Sequence, residues 1–296
     1  MRKIFAGLSF FLVVLSAFAG EKIINIEPGF NLAKSARFYE VGSEGHQTLR
    51  GEILLAGGKN IQLPDACEYE GGAAQLYDAY TMSADKIFFV FTCKWAVMHP
   101  RINLKGSDFI SYVYSSDEVN KLTNNKELSS SVSGYEGSLE EGGSDFYWYS
   151  TRELASRKLK ETVGGTKWDS LELSHEIVLA RLKDKDYEAL KAYLTKERLE
   201  KLLKNYPLSK ANSGIYNDFG FALGESRSDE AAYGVLARVE MISPERVVLK
   251  LNIADVLWAS DKDKSKKYYL DYIEAMKSKN KESLVPVRVL ERVGQK

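Results

Sequence analysis

Short apolar segments separated by turns rich in glycine, proline and asparagine dominate residues 20–130, a pattern typical of β-strands. Residues 86–98 show the pattern most clearly, because β-branched and aromatic side chains follow one another there with few interruptions. Such density favours a central strand that is covered on both faces. Residues 50–56 predict an earlier strand, and residues 109–114 predict one that returns antiparallel. We therefore expect an antiparallel β domain in this part of the chain.

After residue 165 the apolar residues recur every three to four positions, which is the spacing typical of amphipathic helices. Asp186 and Thr195 each precede an apolar stripe and are suited to cap a helix N-terminus, whereas Pro207 is suited to end the last of these helices. The pattern predicts three helices, over residues 171–182, 187–194 and 197–205.

Strand-like segments return further along the chain. Residues 232–242 and 246–253 flank a turn at 243–245 and predict a β-hairpin, and residues 284–293 predict a last strand. Residues 267–276 fit either a helix or a strand. No internal repeat is visible.

These patterns predict the α+β fold class, with an N-terminal antiparallel β domain followed by a domain of helices plus an antiparallel sheet. The predicted segments are a signal peptide at 1–19, a β-rich, disulfide-containing domain at 20–130, a polar, glycine-rich connection at 131–165 and an α+β domain at 166–296.

An aromatic block at residues 146–149 interrupts the polar connection. Tyrosine and tryptophan combine a flat apolar face with a polar edge, which suits sugar stacking or an interface anchor. Tyr147, Trp148 and Tyr149 are therefore candidate interaction residues. The alternative is a strand whose side chains alternate between core and surface.

The first nineteen residues have the features of an export signal. Arg2 and Lys3 precede an apolar run, and Ala17 and Ala19 supply the small residues that signal peptidase recognises. The apolar run is short for a membrane span, and no later segment is apolar for long enough to cross a bilayer. The sequence predicts a periplasmic or secreted protein without a transmembrane segment in the mature chain.

The chain has two cysteines, Cys67 and Cys93, and both follow the predicted cleavage site. In an oxidising compartment they pair in only one way within the chain, and such a bridge stabilises by about 3 kcal/mol. Two unpaired thiols are the alternative. Because no C-x-x-C spacing is present, we expect a structural bridge rather than a redox catalyst.

Charge and composition narrow the class of partner. The 296 residues include 41 basic and 41 acidic side chains, so the net charge is zero. Nonspecific nucleic-acid binding depends on a strongly basic surface, and we expect no nucleic-acid partner.

The stretch DYEALKAYLT at residues 186–195 resembles a helix signature of NTF2-like (cystatin-like) α+β domains. The resemblance extends over residues 165–296 and implies a curved antiparallel sheet packed around two or three helices. Some exported bacterial members of that family bind small ligands, so the resemblance also implies a ligand pocket. It assigns no functional residue.

The sequence contains no recognisable catalytic motif. The three histidines do not have metal-ligand spacing, and the sequence predicts no metal site and no cofactor. The segment around Ser226 approaches a nucleophile elbow, but it lacks the final glycine and a preceding buried strand. If a dispersed active site exists, its least implausible members are His99, Asp108 and Ser111.

Two interpretations of function remain open. The first is an exported, non-enzymatic binding protein of a bacterial envelope, with a protein partner or a cell-wall component, a class that includes proteins of the inhibitor or immunity type. The second is an exported hydrolase with a dispersed site, and a small-ligand pocket in the C-terminal domain is a further alternative.

Overall fold

The computed structural model describes residues 20–115 and 122–294. The predicted signal peptide at 1–19 lies outside the described residues. Contacts divide the described chain into two compact units, one formed by residues 20–97 with 111–115 and 122–126, and the other by 98–110 with 127–294. The boundaries proposed from sequence, at 130 and 165, stay a prediction.

The first β-sheet is antiparallel and has the strand order β1-β2-β3-β4. Gly51 pairs with Phe38, and a side chain at Gly51 would come within 2.7 Å of the Phe38 ring. The strands are β1 (Lys22–Phe30), β2 (Ala33–Ser43), β3 (His46–Leu54) and β4 (Asn60–Gln62).

The second sheet has five antiparallel strands in the order β5-β6-β7-β8-β9. Its longest strand confirms the sequence prediction of a doubly covered strand, because the consecutive side chains of Phe88, Phe89, Val90 and Phe91 are all buried. The strands are β5 (Gln75–Ser83), β6 (Ile87–His99), β7 (Leu104–Ser115), β8 (Gly134–Ser138) and β9 (Ser144–Asp145).

Cys67 and Cys93 lie at disulfide distance, with their Cα atoms 6.4 Å apart and both side chains buried. Cys93 is in β6, and Cys67 forms an isolated antiparallel bridge with Leu49 of β3. The predicted disulfide is confirmed, and it fastens the segment between the two sheets to strand β6.

Ten α-helices occur in the described chain, and nine of them follow β8. They are α1 (Lys126–Ser131), α2 (Arg152–Val163), α3 (Leu171–Lys183), α4 (Tyr187–Tyr193), α5 (Lys196–Asn205), α6 (Ser213–Glu225), α7 (Asp229–Ile242), α8 (Val247–Leu257), α9 (Lys262–Ser278) and α10 (Val287–Gly294). The α+β class predicted from the sequence is thus confirmed.

The three helices predicted from the amphipathic period are confirmed as α3, α4 and α5. Asp186 caps α4 by accepting from the backbone N–H of Ala189 at 3.2 Å. Thr195 caps α5 in the same way through the N–H of Arg198, at 3.2 Å. These caps satisfy N–H groups that have no partner inside the helix.

The predicted hairpin at 232–253 and the last strand at 284–293 are wrong, because helices α7, α8 and α10 occupy these segments. In α7 the buried residues Ala232, Val235, Leu236 and Val239 follow the spacing of one helix face. Helix α8 is apolar nearly all round, and periodicity alone does not distinguish such a segment from a buried strand.

The architecture implied by the NTF2-like resemblance is also absent, since the described residues from 165 onward form helices and turns and include no strand. The sheets precede this segment. The connection at 131–165 contains β8, β9 and α2, whereas residues 146–149 form no strand.

Helices α6 to α9 form two successive pairs. Each helix packs on the next, and the pairs begin at Ser213 and Val247, a spacing of about 34 residues that helix-pair repeat proteins use. Gly220 lets the first pair approach closely, because a Cβ there would lie 2.5 Å from the Leu236 side chain.

Candidate functional site

A cleft of about 490 Å³ opens in the helical unit. Four helices that alternate along the chain supply most of its walls, namely α4, α6, α8 and α10. The turns after α6 and α8 and the first residue of α7 supply the rest. We call this site the helical cleft. It is lined by Tyr187, Glu188, Lys191, Phe221, Gly224, Glu225, Ser226, Arg227, Asp229, Asn252, Asp255, Val256, Trp258, Ala259, Arg288 and Arg292.

The lining residues occupy one face of each helix. On α6, Phe221 and Glu225 are four residues apart, and on α8 the same spacing joins Asn252 to Val256. Side chains at this spacing lie one above the other on a helix. The helical period of the sequence therefore directs a continuous strip of each of these helices into the cleft.

Asp255 holds α10 against α8 and α9. Its carboxylate accepts hydrogen bonds from Arg288 and Arg292, both at 2.7 Å, and from the Tyr269 hydroxyl at 2.7 Å. The guanidinium of Arg292 also donates to the Tyr269 oxygen. Burial, together with the carboxylate of Asp255, raises the pKa of Tyr269 to about 12, so the phenol stays protonated and remains a donor at neutral pH.

Aromatic side chains give the helical cleft its apolar surface. The guanidinium of Arg292 lies 4.9 Å from the centre of the Trp258 ring, a cation–π distance. Phe221 leaves 40% of its surface exposed although it is a large apolar residue on a packed helix. An exposed phenylalanine inside a cleft is a typical anchor position for a bound group.

The opposite wall and the turn add further charges. Lys191 pairs with Glu188 at 3.0 Å on the exposed face of α4. Arg227 lies in the turn that ends α6 and adopts a left-handed backbone conformation, with φ of 63°. Helices usually place glycine at this position, because a Cβ is unfavourable there.

Polar groups deeper in the helical cleft are already engaged. The Ser226 hydroxyl donates to the carbonyl of Leu223 at 2.9 Å and is buried, at the C-terminal end of a helix rather than after a strand. The Asn252 amide donates to the side-chain oxygen of Asn217 at 3.2 Å. The first bond lies at the end of α6, and the second joins α8 to α6.

The candidate interaction residues of the sequence analysis lie elsewhere. Tyr147 is buried and donates to the carbonyl of Val132 at 3.0 Å. Trp148 packs on Tyr193 with ring centres 4.9 Å apart, and Tyr149 packs against the same helical core. This placement favours the structural alternative that the sequence left open, although the block is not a strand.

Tyr149 belongs to a cluster around the carboxylate of Asp169. Tyr149 and Tyr193 donate to Asp169 at 2.7 and 2.8 Å, and Lys158 and Arg198 bind it at 2.9 and 3.1 Å. Burial alone raises the pKa of Asp169, but Lys158 and the two hydroxyl donors outweigh it and hold that pKa below its ordinary value. The cluster joins α2, α4 and α5 to the segment that leads into α3 and is structural.

The dispersed residues considered for a hydrolase have ordinary environments. His99 is exposed at the end of β6, and Asp108 is half-buried in β7. Ser111 is buried, and its hydroxyl lies 2.8 Å from that of Thr92. Another histidine, His175, pairs with Asp218 at 2.8 Å between α3 and α6.

Within residues 20–115 and 122–294 no group of three or more His, Cys, Asp or Glu side chains is arranged to hold a metal ion. In the same ranges no helix is both long enough and apolar enough to cross a bilayer.

Sequence reasoning missed the residues of the helical cleft. Arg288 and Arg292 have the four-residue spacing of a helix face, but they lie in the segment predicted as a strand. Asp255 and Trp258 follow the predicted hairpin. The signal that could have found them is the helical spacing of these two segments, because assigning α8 and α10 as helices places these residues on helix faces that meet in the cleft.

The chain matches no protein-family model, and no curated protein shows significant sequence similarity to it.

Proposed function

We propose that this chain is an exported, non-enzymatic binding protein that holds an extended segment of a partner protein in the helical cleft. One observation carries the proposal: the helices that alternate along the chain present exposed aromatic and charged side chains to one shared cleft.

The arrangement of the helices supports a peptide ligand. Stacked helix pairs form extended concave surfaces, because successive pairs repeat the same packing with a small rotation. The first helix of the pair α6–α7 and the first helix of the pair α8–α9 both line the helical cleft, and α4 and α10 flank them. A segment of extended chain fits such a strip better than a folded surface does.

The chemistry of the lining supports the same ligand class. Phe221 and Trp258 provide apolar anchors, and the charged residues number four basic and four acidic side chains. Aromatic and arginine residues carry a large share of the binding energy at protein interfaces. Because the basic and acidic side chains are equal in number, the lining has no net charge that would attract every oppositely charged segment. Recognition then depends on where individual charged groups of the partner segment meet individual charged groups of the cleft.

Export to an oxidising compartment is supported by two features. The leader has the basic, apolar and small-residue regions of a signal peptide, and the Cys67–Cys93 pair lies at disulfide distance. Cell fractionation with N-terminal sequencing of the mature protein tests this part. Export predicts a mature chain that begins near Gly20, and an intact leader on cytoplasmic protein contradicts it.

Selection from a random peptide library on the folded, oxidised protein tests the binding function. Selected peptides are then titrated against Phe221→Ala and against the control Leu270→Ala, which removes an apolar side chain that is 51% exposed on α9 outside the helical cleft. The proposal predicts a loss of affinity of about tenfold for Phe221→Ala and none for Leu270→Ala. Equal affinities in the two variants contradict it.

A small-molecule ligand is the second candidate, and the size of the site favours it. A volume of about 490 Å³ falls within the range of small-molecule sites. A fragment screen by protein-observed NMR separates the candidates: fragments that compete with the selected peptides at Phe221 identify a shared site, whereas tight fragments without any peptide binding favour the small-ligand function.

A further inference from the structure

We infer that Arg227 is the residue of the helical cleft that recognises a carboxylate group of the bound partner segment. This inference rests on the proposed function and specifies the chemistry of its ligand.

The turn after α6 is a Schellman motif. The N–H of Arg227 bonds to the carbonyl of Gly224 at 3.0 Å, and the N–H of Ser228 bonds to the carbonyl of Leu223 at 2.9 Å. The motif places Arg227 in the left-handed region that glycine occupies most readily. The arginine side chain therefore stands where the backbone alone favours glycine.

Two other helices of the described chain end in the same motif with the residue types that the backbone favours. Gly165 occupies the left-handed position after α2, and Asn280 occupies it after α9. Lys185 occupies the left-handed position after α3. A basic residue at this position therefore also occurs away from the cleft, and the position alone does not identify a binding residue. Lys185 lies outside the helical cleft, whereas Arg227 lines it.

The charges that line the helical cleft single out Arg227. Arg288 and Arg292 both bind Asp255, and Lys191 binds Glu188. Within residues 20–115 and 122–294, Arg227 is the cation of the cleft that has no hydrogen bond from its guanidinium and no ion pair.

Two acidic residues flank Arg227 in the sequence, and each has another electrostatic role. Glu225 acts on Arg288, whose pKa is raised chiefly by its hydrogen bond to Asp255 and further by the Glu225 charge. Asp229 lies in the first turn of α7, where the positive end of the helix stabilises a carboxylate. The Arg227 guanidinium is therefore available to a ligand.

A guanidinium recognises a carboxylate through two parallel N–H donors. Phe221 lies on the preceding turns of α6 and lines the same site. The two residues together fit a segment in which an acidic residue follows or precedes an apolar one. The carboxylate comes from a glutamate or aspartate side chain or from a free C-terminus, and both sources present the same chemistry to Arg227.

Three short synthetic peptides test the inference. The first, GEFEG, is acetylated and amidated, the second, GQFQG, carries the same blocking groups, and the third is GQFQG with a free C-terminus. Each is titrated by NMR into the full-length oxidised protein, into Arg227→Gly and into Lys185→Gly. The two glycine variants relieve the same backbone strain, so both are expected to melt at a higher temperature than the parent.

The inference predicts that GEFEG binds the parent protein about tenfold more tightly than blocked GQFQG, as expected for one charge-assisted contact. The preference disappears in Arg227→Gly, persists in Lys185→Gly and is partly restored in Arg227→Lys. Tighter binding of GQFQG with a free C-terminus identifies the terminal carboxylate as the source.

A glutamate preference that survives in Arg227→Gly overturns the inference, and so does a parent protein that binds neither GEFEG nor GQFQG with a free C-terminus more tightly than blocked GQFQG. These results differ from a failure of the proposed function. In that case library-selected peptides are insensitive to Phe221→Ala, whatever the effect of Arg227.

Discussion

Arg181 binds Glu136 through both of its terminal nitrogens, at 2.8 and 2.9 Å, and so joins the C-terminal half of α3 to strand β8. The same guanidinium donates to Asp186 and to the carbonyl of Tyr147, both at 2.7 Å. Glu136 in turn accepts from the N–H of Tyr147 at 2.8 Å. One ion pair therefore fixes a strand, a helix and the aromatic block at residues 146–149.

Glu136→Gln is expected to lower the free energy of unfolding by about 2 kcal/mol, because it leaves the mostly buried guanidinium of Arg181 with a weaker partner. Urea denaturation measures the change. Glu188→Gln is the matched control, since its pair with Lys191 is exposed and contributes less than about 0.5 kcal/mol. Equal losses in the two variants would contradict a special role for the Arg181 pair.

Asp169 makes the free energy of unfolding depend on pH in the acidic range. Its pKa is lowered in the folded state, so the stability that it contributes is fully present above the unfolded pKa of about 3.9 and is lost as the pH falls through the folded pKa. Asp169→Asn removes that contribution and leaves Lys158 buried without its anion, at a cost of about 3 kcal/mol at pH 7.

Urea denaturation from about pH 7 to pH 3 measures this effect. The difference in unfolding free energy between the parent and Asp169→Asn should be largest near neutral pH and should shrink as the solution becomes acidic. A difference that grows toward acid would contradict the direction of the pKa shift.

Gly220→Ala tests the close packing of the helix pair α6–α7. The added methyl group would lie 2.5 Å from the Leu236 side chain, and the resulting strain is expected to lower the unfolding free energy by about 1–3 kcal/mol. Gly234→Ala is the control, because no atom lies within 4 Å of a Cβ there and alanine favours the helix by about 1 kcal/mol. Thermal melting should move the two variants in opposite directions, and a stabilised Gly220→Ala would contradict the packing.

Removal of the disulfide is expected to lower the unfolding free energy by about 3 kcal/mol, because the unfolded chain gains freedom in the loop between Cys67 and Cys93. The Cys67→Ala, Cys93→Ala double variant and the parent are compared by urea denaturation with and without reductant. Reductant should destabilise the parent and leave the double variant unchanged. An equal response in both would show that reductant acts elsewhere.

The elements predicted correctly from the sequence share a strong local signal. Strand β6 carries an unbroken aromatic and β-branched run, and helices α4 and α5 begin at the capping residues Asp186 and Thr195. In these cases local preference and burial act in the same direction, so the sequence pattern is enough.

Helices α7 and α8 were mistaken for strands for a physical reason. Helix α8 is buried on several sides, so polar residues do not mark a clear outer face there. Both helices also carry valine and isoleucine, which favour strands on intrinsic preference. Tertiary packing decides their structure. The helical cleft could not be predicted for the same reason, since Asp255, Arg288 and Arg292 meet only when α8 and α10 are helices.

The central claim is that a partner segment occupies the helical cleft, and site-specific photo-cross-linking tests it most directly. A benzophenone amino acid replaces Phe221 in one variant and Leu270 in another, and each is irradiated with a library-selected peptide. The account predicts a covalent adduct from position 221 and none from position 270. An adduct that forms only from position 270, or equally from both, would contradict it.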